Sequence, residues 1–115
     1  MTSLIAVDRL EIQILVDNVT DGLSSTPAFV EGEWSYQWRR GNRLMSGKCL
    51  CCAAHGLSCL VTVQRGAERR TFLFDSGPEE YAFERNVTRL AADLGAAEAI
   101  MLSHGHWDHA GAMLL

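Results

Sequence analysis

The chain has 115 residues, a formal net charge of -4 and a hydrophobic fraction of 48%, values that are ordinary for one soluble globular unit. No apolar run approaches the roughly 20 residues of a membrane-spanning helix, and no basic tail indicates binding to nucleic acid. The N-terminal segment lacks the features of a secretory signal, so we expect a cytoplasmic protein whose four cysteines are reduced thiols.

The first predicted element is a β-strand from Leu10 to Val16, in which every second side chain is apolar. That period predicts a strand with one buried face. Asp17 and Asn18 follow it in a polar turn. Turn chemistry explains both residues, and Asn18 is also a candidate for substrate binding.

The segment from Val19 to Ala54 carries no sustained helical or strand period, and we expect a long loop or flap there. Trp34, Tyr36 and Trp38 alternate within it, which predicts a short extended stretch with one aromatic face, and basic residues follow. Such a surface can hold a planar anionic substrate, whereas packing and a solvated basic face explain the same pattern. The candidate substrate-binding residues in this segment are Trp34, Trp38, Arg39 and Arg40.

Three of the four cysteines lie near the end of this segment, and the first histidine and the last cysteine follow it. Cys49, Cys51, Cys52 and Cys59 lack the paired spacing of structural zinc sites, so we expect idle or buried thiols. His55 stands alone at the entrance to the next strand. A lone histidine is more often structural, and a role in a substrate pocket is the alternative.

The second half of the chain alternates strands with a helix. Two β-rich segments, Leu57 to Gln64 and Thr71 to Phe74, flank a turn signal and predict a hairpin. Pro78 and two glutamates indicate a helix start, and an apolar helical period continues to a stop at Gly95. The apolar run from Glu98 to Leu102 completes a strand, helix, strand unit. This order predicts an α/β fold with layered helices and sheet.

The strongest signal for a functional site lies directly after the last predicted strand, in the residues His104, His106, Asp108 and His109. Alternate residues of an extended segment point to one side, so His104 and His106 can hold one ion. Asp108 and His109 diverge; after a turn they can serve a second ion, or one can support the ligands of the first. Imidazole and carboxylate without thiolate suit zinc, iron, manganese or cobalt.

Asp75 is the candidate for a supporting residue. It lies at the carboxyl end of the strand before the helix, and ligand sites of open α/β sheets lie at that edge, so Asp75 should share one rim with the histidines. Its carboxylate can accept the free N–H of a metal-ligating imidazole. An N-terminal helix cap explains it equally well.

The H-x-H-x-D-H pattern of His104 to His109, with Asp75-Ser76-Gly77 at the preceding strand end, resembles the motifs of the metallo-β-lactamase-fold hydrolases. Within that superfamily, Asp17-Asn18-x-Thr20 and His55-Gly56-Leu57-Ser58, with the long insertion between them, resemble the subgroup related to dihydropterin ribofuranosylaminobenzene phosphate synthase. The resemblance implies that residues 1–115 form one incomplete domain, the N-terminal half of an αβ/βα sandwich, with a long loop or flap at about 19–54.

The same resemblance implies a metal-dependent activity. His104 and His106 would bind a first zinc ion and Asp108 and His109 a second, with Asp75 in support; iron or manganese fits the same donors. Asp108 would also be catalytic by orienting the attacking water. The implied reaction is hydrolysis of an ester, amide or phosphoester, or a pterin-type synthase reaction, on a small phosphorylated or pterin-like molecule.

Two alternatives stay open. The superfamily completes these metal shells with ligands from the second half of its fold, and this chain has no histidine after His109. The first alternative is therefore a catalytically silent fragment that binds metal weakly or needs a partner, with a homo-oligomer covering the exposed face of the half-sandwich. A di-iron redox protein of the same fold is the second alternative.

Overall fold

The computed structural model describes residues 3–113, which form a four-stranded mixed sheet with helices packed against one face. The strands are β1 (Arg9–Val16), β2 (Ser58–Arg65), β3 (Glu68–Phe74) and β4 (Ala97–Met101). The helices are α1 (Glu33–Arg39), α2 (Glu80–Leu90) and α3 (Trp107–Ala110), and a 3₁₀ turn spans Leu94–Ala96. The predicted α/β class is confirmed. Within residues 3–113, no helix is long and apolar enough to cross a bilayer.

The strand order β1-β2-β3-β4 brings chain segments that are far apart in sequence to one rim. The first three strands pair antiparallel and include the predicted hairpin of β2 and β3, whereas β3 and β4 pair in parallel across α2. Val16 faces Ser58, and Phe74 faces both Cys59 and Met101. The last residues of β1, β3 and β4 therefore lie beside the first residues of β2, and we call this edge the carboxyl rim.

The core lies between the sheet and α2. Its buried members are Leu15, Val16, Leu60, Leu73, Phe83, Leu90 and Ala112. Burying one large apolar side chain stabilises a fold by roughly 1.5–3 kcal/mol. Asn86 of α2 adds polar contacts, since its Nδ2 donates to the carbonyls of Leu15 (2.8 Å) and Cys52 (3.0 Å). The helix therefore has one orientation over the sheet.

The opposite face of the sheet is open, which corrects the expectation for β1. Leu10, Ile12 and Ile14 should have formed its buried face, but they are 57%, 53% and 47% exposed. Of the alternating apolar residues only Val16 is buried, and Leu15 is buried beside it, at an irregularity in the pairing with β2. The alternation correctly identified which face of β1 carries apolar side chains, but the helices pack against the opposite face of the sheet. We call the uncovered surface the open face; it comprises Leu10, Ile12, Ile14, Val61, Val63, Phe72, Phe74 and Met101.

The aromatic stretch in the long connection is a helix, so the expectation of an extended flap is wrong there. Trp34 and Trp38 lie four residues apart on the solvent side of α1, where they are 49% and 54% exposed. Tyr36 turns inward and donates from its hydroxyl to the carbonyl of Leu90. Buried Gln37 donates to the carbonyl of Arg89 at 2.9 Å. These contacts dock α1 on the C-terminal end of α2.

The second helix begins where Pro78 and the glutamates indicated, but it ends earlier than predicted. Its last residue is Leu90, and Ala91 follows in the left-handed conformation, with φ of 49°. The predicted stop, Gly95, lies inside the 3₁₀ turn instead. Glu79 precedes the helix without a side-chain cap, so Asp75 does not cap it.

Candidate metal centre

The histidine-rich loop leaves β4 at the carboxyl rim and turns into α3. The carbonyl of His106 accepts the backbone N–H groups of His109 and Ala110, both at 3.0 Å, which forms the turn. The backbone of Gly111 donates to Gly77 at 2.9 Å, and a Cβ at Gly111 would lie 1.9 Å from the carbonyl oxygen of Pro78. Only glycine allows this close approach, so the sequence fixes α3 against the segment that follows β3.

Three of the predicted ligands come together in this loop. His104, His106 and Asp108 each offer one ligand atom, and these atoms lie within 4.8 Å of one another. The ring of His109 is close as well, with its centroid 4.3 Å from that of His104. Ligand atoms about 2 Å from an ion are separated by up to roughly 4 Å, so small side-chain rotations suffice to enclose an ion. The donor set fits a divalent transition metal, and the exposed side of both leading histidines leaves room for a substrate.

Asp75 lies fully buried beneath the histidines and connects them to the sheet. Its Oδ1 accepts the backbone N–H of Ser103 at 2.7 Å, and its Oδ2 accepts the Ser103 hydroxyl at 2.6 Å. The same Oδ2 accepts Nδ1–H of His109 at 2.7 Å. Of the two explanations for Asp75, contact with an imidazole is therefore the one that the structure shows. With its proton on Nδ1, His109 keeps Nε2 available as a ligand.

The charge of Asp75 follows from these contacts. Burial by itself raises the pKa of this carboxyl group, but hydrogen bonds from the side chain and backbone of Ser103 and from His109 outweigh burial and lower the pKa. The carboxylate is therefore ionised at neutral pH. Its φ of 54° lies in the left-handed region, which aspartate tolerates better than most residues. Ser103 was not singled out in the sequence; its signal was a hydroxyl residue directly between a strand end and the first histidine.

Two other predicted site residues, Asn18 and His55, lie at the carboxyl rim. Asn18 follows β1 and is exposed. Nε2 of His55 lies 3.4 Å from Oδ2 of Asp108, and its ring stacks on Trp107 with centroids 5.7 Å apart. A cleft of about 420 Å³ opens beside His55 and Trp107 and is also lined by Glu79.

The remaining predicted substrate-binding residues lie elsewhere. Arg39 pairs with Glu31 at 2.7 Å, and Arg40 donates to the carbonyl of Arg89 at 3.0 Å. Trp34 and Trp38 share α1 with Arg39, and α1 sits at the C-terminal end of α2. The other end of α2, about 16 Å away for a helix of this length, adjoins the histidine loop. The structure does not bring these four residues to the cluster, and their substrate-binding role stays a prediction.

The cysteines form no disulfide bond in the structure. All four are free thiols. Burial is the main cause that raises the pKa of Cys51 to about 12 and of Cys59 to about 11. Both are therefore protonated at neutral pH, and a protonated thiol is a poor metal ligand.

Comparison with known proteins identifies one family. The family model described as the metallo-beta-lactamase superfamily matches residues 55–115, which is more than half of the chain. The matched range includes His55, Asp75 and the whole histidine-rich loop. No curated protein matches the chain.

Proposed function

The chain belongs to the metallo-beta-lactamase superfamily, and from this premise we propose that it is a metal-dependent hydrolase of ester, amide or phosphoester bonds. The observation that carries the proposal is the convergence of His104, His106 and Asp108 within 4.8 Å at the carboxyl rim. Two imidazoles and one carboxylate with an open side are a ligand set that hydrolytic zinc enzymes use.

The proposal includes a dinuclear site. His104 and His106 would hold the first ion, and Asp108 and His109 the second. Asp108 groups with the first pair of histidines, and its Oδ2 also lies 3.5 Å from Nε2 of His109, which favours a carboxylate that serves both positions. We propose zinc, with iron or manganese as alternatives on the same donors. Bound zinc lowers the pKa of a water molecule toward neutrality and polarises the bond to be broken.

The residues of the chain have distinct tasks in this proposal. Asp75 and Ser103 hold His109 with its proton on Nδ1, so that Nε2 faces the ligands. Asp108 would bind metal and orient the attacking water, and its half-buried carboxylate lies beside both His55 and His109. His55 lies beside Asp108, and its ring stacks on Trp107.

The narrower assignment, a pterin-type synthase acting on a small phosphorylated or pterin-like molecule, is also part of the proposal. Its support is that Asn18 and His55, both from the motifs of that subgroup, share the carboxyl rim with the histidines. The basic residues of α1 do not add to it. The cytoplasmic location stays a prediction.

Metal binding and turnover test the proposal together. Wild type should bind Zn²⁺ in isothermal titration calorimetry and hydrolyse members of a panel of chromogenic esters, amides and phosphoesters. The double variant His104→Ala/His106→Ala should lose both properties because two ligands are gone. Arg65→Ala/Glu68→Ala, at the hairpin turn remote from the rim, is the matched control and should retain both.

The outcomes separate the alternatives. Equal metal binding by wild type and the double histidine variant would contradict the metal centre. Specific binding without turnover of any compound in the panel would favour the catalytically silent alternative. Tight iron binding with redox-dependent absorbance would favour the di-iron protein.

A further inference from the structure

His55 lies against the ligand group although it is 53 residues from Asp108 in the chain. Backbone contacts of the next two residues, Gly56 and Leu57, determine the position of His55. A Cβ on Gly56 would lie 2.1 Å from the carbonyl oxygen of Asp108, and the φ of Gly56 is 143°. The N–H of Leu57 is directed at the same carbonyl at 3.4 Å. Glycine at position 56 therefore lets the chain pack directly on α3, and this contact delivers His55 to the Asp108 side chain.

The side chains make a second, independent contact. Oδ2 of Asp108 lies between two imidazole nitrogens, Nε2 of His55 at 3.4 Å and Nε2 of His109 at 3.5 Å. The Asp108 side chain is 17% exposed, whereas that of His55 is 70% exposed. The His55 ring is nevertheless restrained, because it stacks on Trp107 with an interplanar angle of 29°. The His55 ring is held by the backbone contact at Gly56 and by stacking on Trp107, so it is suited to orienting the Asp108 carboxylate.

We propose that His55 is a positioning residue that holds the Asp108 carboxylate in place between His104, His106 and His109. The inference rests on the proposed function and deepens it, because it assigns the orientation of one ligand to a residue outside the ligand set. Asp108 is the second residue of α3, where its side chain is 17% exposed. Contact with His55 restrains the carboxylate before any ion binds.

Two substitutions separate the polar contact from the ring packing. His55→Phe keeps a ring on Trp107 and removes both nitrogens, whereas His55→Gln gives up the ring and restores an N–H donor. We expect His55→Phe to weaken Co²⁺ binding about tenfold, the lower end of the usual range for residues that orient ligands, because His55 is largely exposed. His55→Gln should recover most of that loss.

The measurement is a Co²⁺ titration of the full chain by calorimetry, with the visible absorption of Co²⁺ as a second readout. Loss of a fixed carboxylate oxygen should alter the intensity of the Co²⁺ bands in His55→Phe. Circular dichroism and thermal unfolding of the metal-free variants should match wild type. If His55→Phe does not fold, His55→Ala replaces it in the comparison with His55→Gln.

A double-mutant cycle with Asp108→Asn tests whether His55 acts through Asp108. His55→Phe/Asp108→Asn should bind Co²⁺ no more weakly than Asp108→Asn alone. Two fully additive losses, or unchanged affinity in His55→Phe, would overturn the positioning role. Failure of wild type to bind Co²⁺ would instead contradict the proposed function, so the two failures are distinguishable.

Discussion

At the scale of single residues, Asp75 links the sheet to the candidate metal centre. One buried carboxylate accepts hydrogen bonds from the backbone and side chain of Ser103 and from His109. If the acceptor is removed, the buried donors are left without a partner and cannot bond to water instead. The resulting loss of folding free energy is larger than the net contribution of the hydrogen bonds themselves. Asp75 therefore contributes to the stability of the metal-free fold as well as to the geometry of His109.

We expect Asp75→Asn to lower the free energy of unfolding of the metal-free protein at pH 7 by about 1–3 kcal/mol, the usual cost of unsatisfied buried groups. The pKa of Asp75 in the folded state is lowered, whereas an aspartate in the unfolded chain has a pKa of about 3.9. The stabilisation is therefore present above that value and is lost as the pH falls through the lowered pKa.

Urea unfolding of wild type and Asp75→Asn at pH 7 and at acid pH measures this difference. The gap in stability between the two proteins should narrow at acid pH. Asp93→Asn, at an exposed carboxyl group, is the matched control and should leave stability unchanged. A gap of the same size at both pH values would contradict an ionised, stabilising Asp75.

At the scale of elements, α2 connects the two ends of the molecule. Its N-terminal end follows Pro78 beside the histidine loop, and its C-terminal end receives α1 through Tyr36 and Gln37. The helix ends at Leu90, and the next residue, Ala91, is exposed and adopts a left-handed conformation that a Cβ disfavours by roughly 1–2 kcal/mol.

Replacing this residue should stabilise the protein. We expect Ala91→Gly to raise the free energy of unfolding by about 0.5–1 kcal/mol, because relief of the left-handed strain exceeds the added entropy of glycine in the unfolded chain. Ala99→Gly, at an exposed position in β4, is the matched control and should destabilise by a similar amount. Thermal and urea unfolding would measure both changes. Equal destabilisation by the two substitutions would contradict the strain at Ala91.

Local patterns in the sequence predicted these elements unevenly. β1, β2 and β4 were predicted to within one residue at each end because a period of two and the turn signals are visible within a few residues, whereas β3 begins three residues before the predicted Thr71. The aromatic residues of α1 fit a strand at positions i and i+2 and a helix at i and i+4, so three residues did not decide between them. What fixes the helix is contact of Tyr36 and Gln37 with Leu90 and Arg89, more than 50 residues away.

The grouping of the candidate ligands could be predicted for a related reason. The ligands lie within a few residues of one another, so His104, His106 and Asp108 were visible as a group in the sequence. Asp75 and His55 belong to other elements, and only the strand order brings them to the same rim. The role of Asp75 stayed open because a helix cap and an imidazole partner have the same position in the sequence.

At the scale of the whole molecule, the open face is the largest departure from an ordinary globular surface. Apolar side chains from all four strands contribute to it, and Met101, the last residue of β4, is 50% exposed. Contiguous apolar surfaces of this kind favour association. The carboxyl rim with the candidate metal ligands lies at the strand ends, so covering the open face does not require covering the candidate site.

We predict that two copies of the chain pack open face to open face, with their sheets about 10 Å apart as in sandwiches. Light scattering coupled to size-exclusion chromatography should show a dimer or larger species. Ile12→Lys should shift it toward monomer, because a twofold interface brings the two introduced charges together. Stability within one copy should change little, since Ile12 is 53% exposed.

Leu23→Lys is the matched control for this substitution, because Leu23 is 95% exposed in the connection outside the sheet and should not affect association. A monomeric wild type, or equal effects of both lysine substitutions, would contradict packing through the open face. Zn²⁺ binding should be retained in Ile12→Lys, because none of the ligands belongs to that face. Retained binding in a monomer would mean that His104, His106 and Asp108 need no second copy to hold the ion.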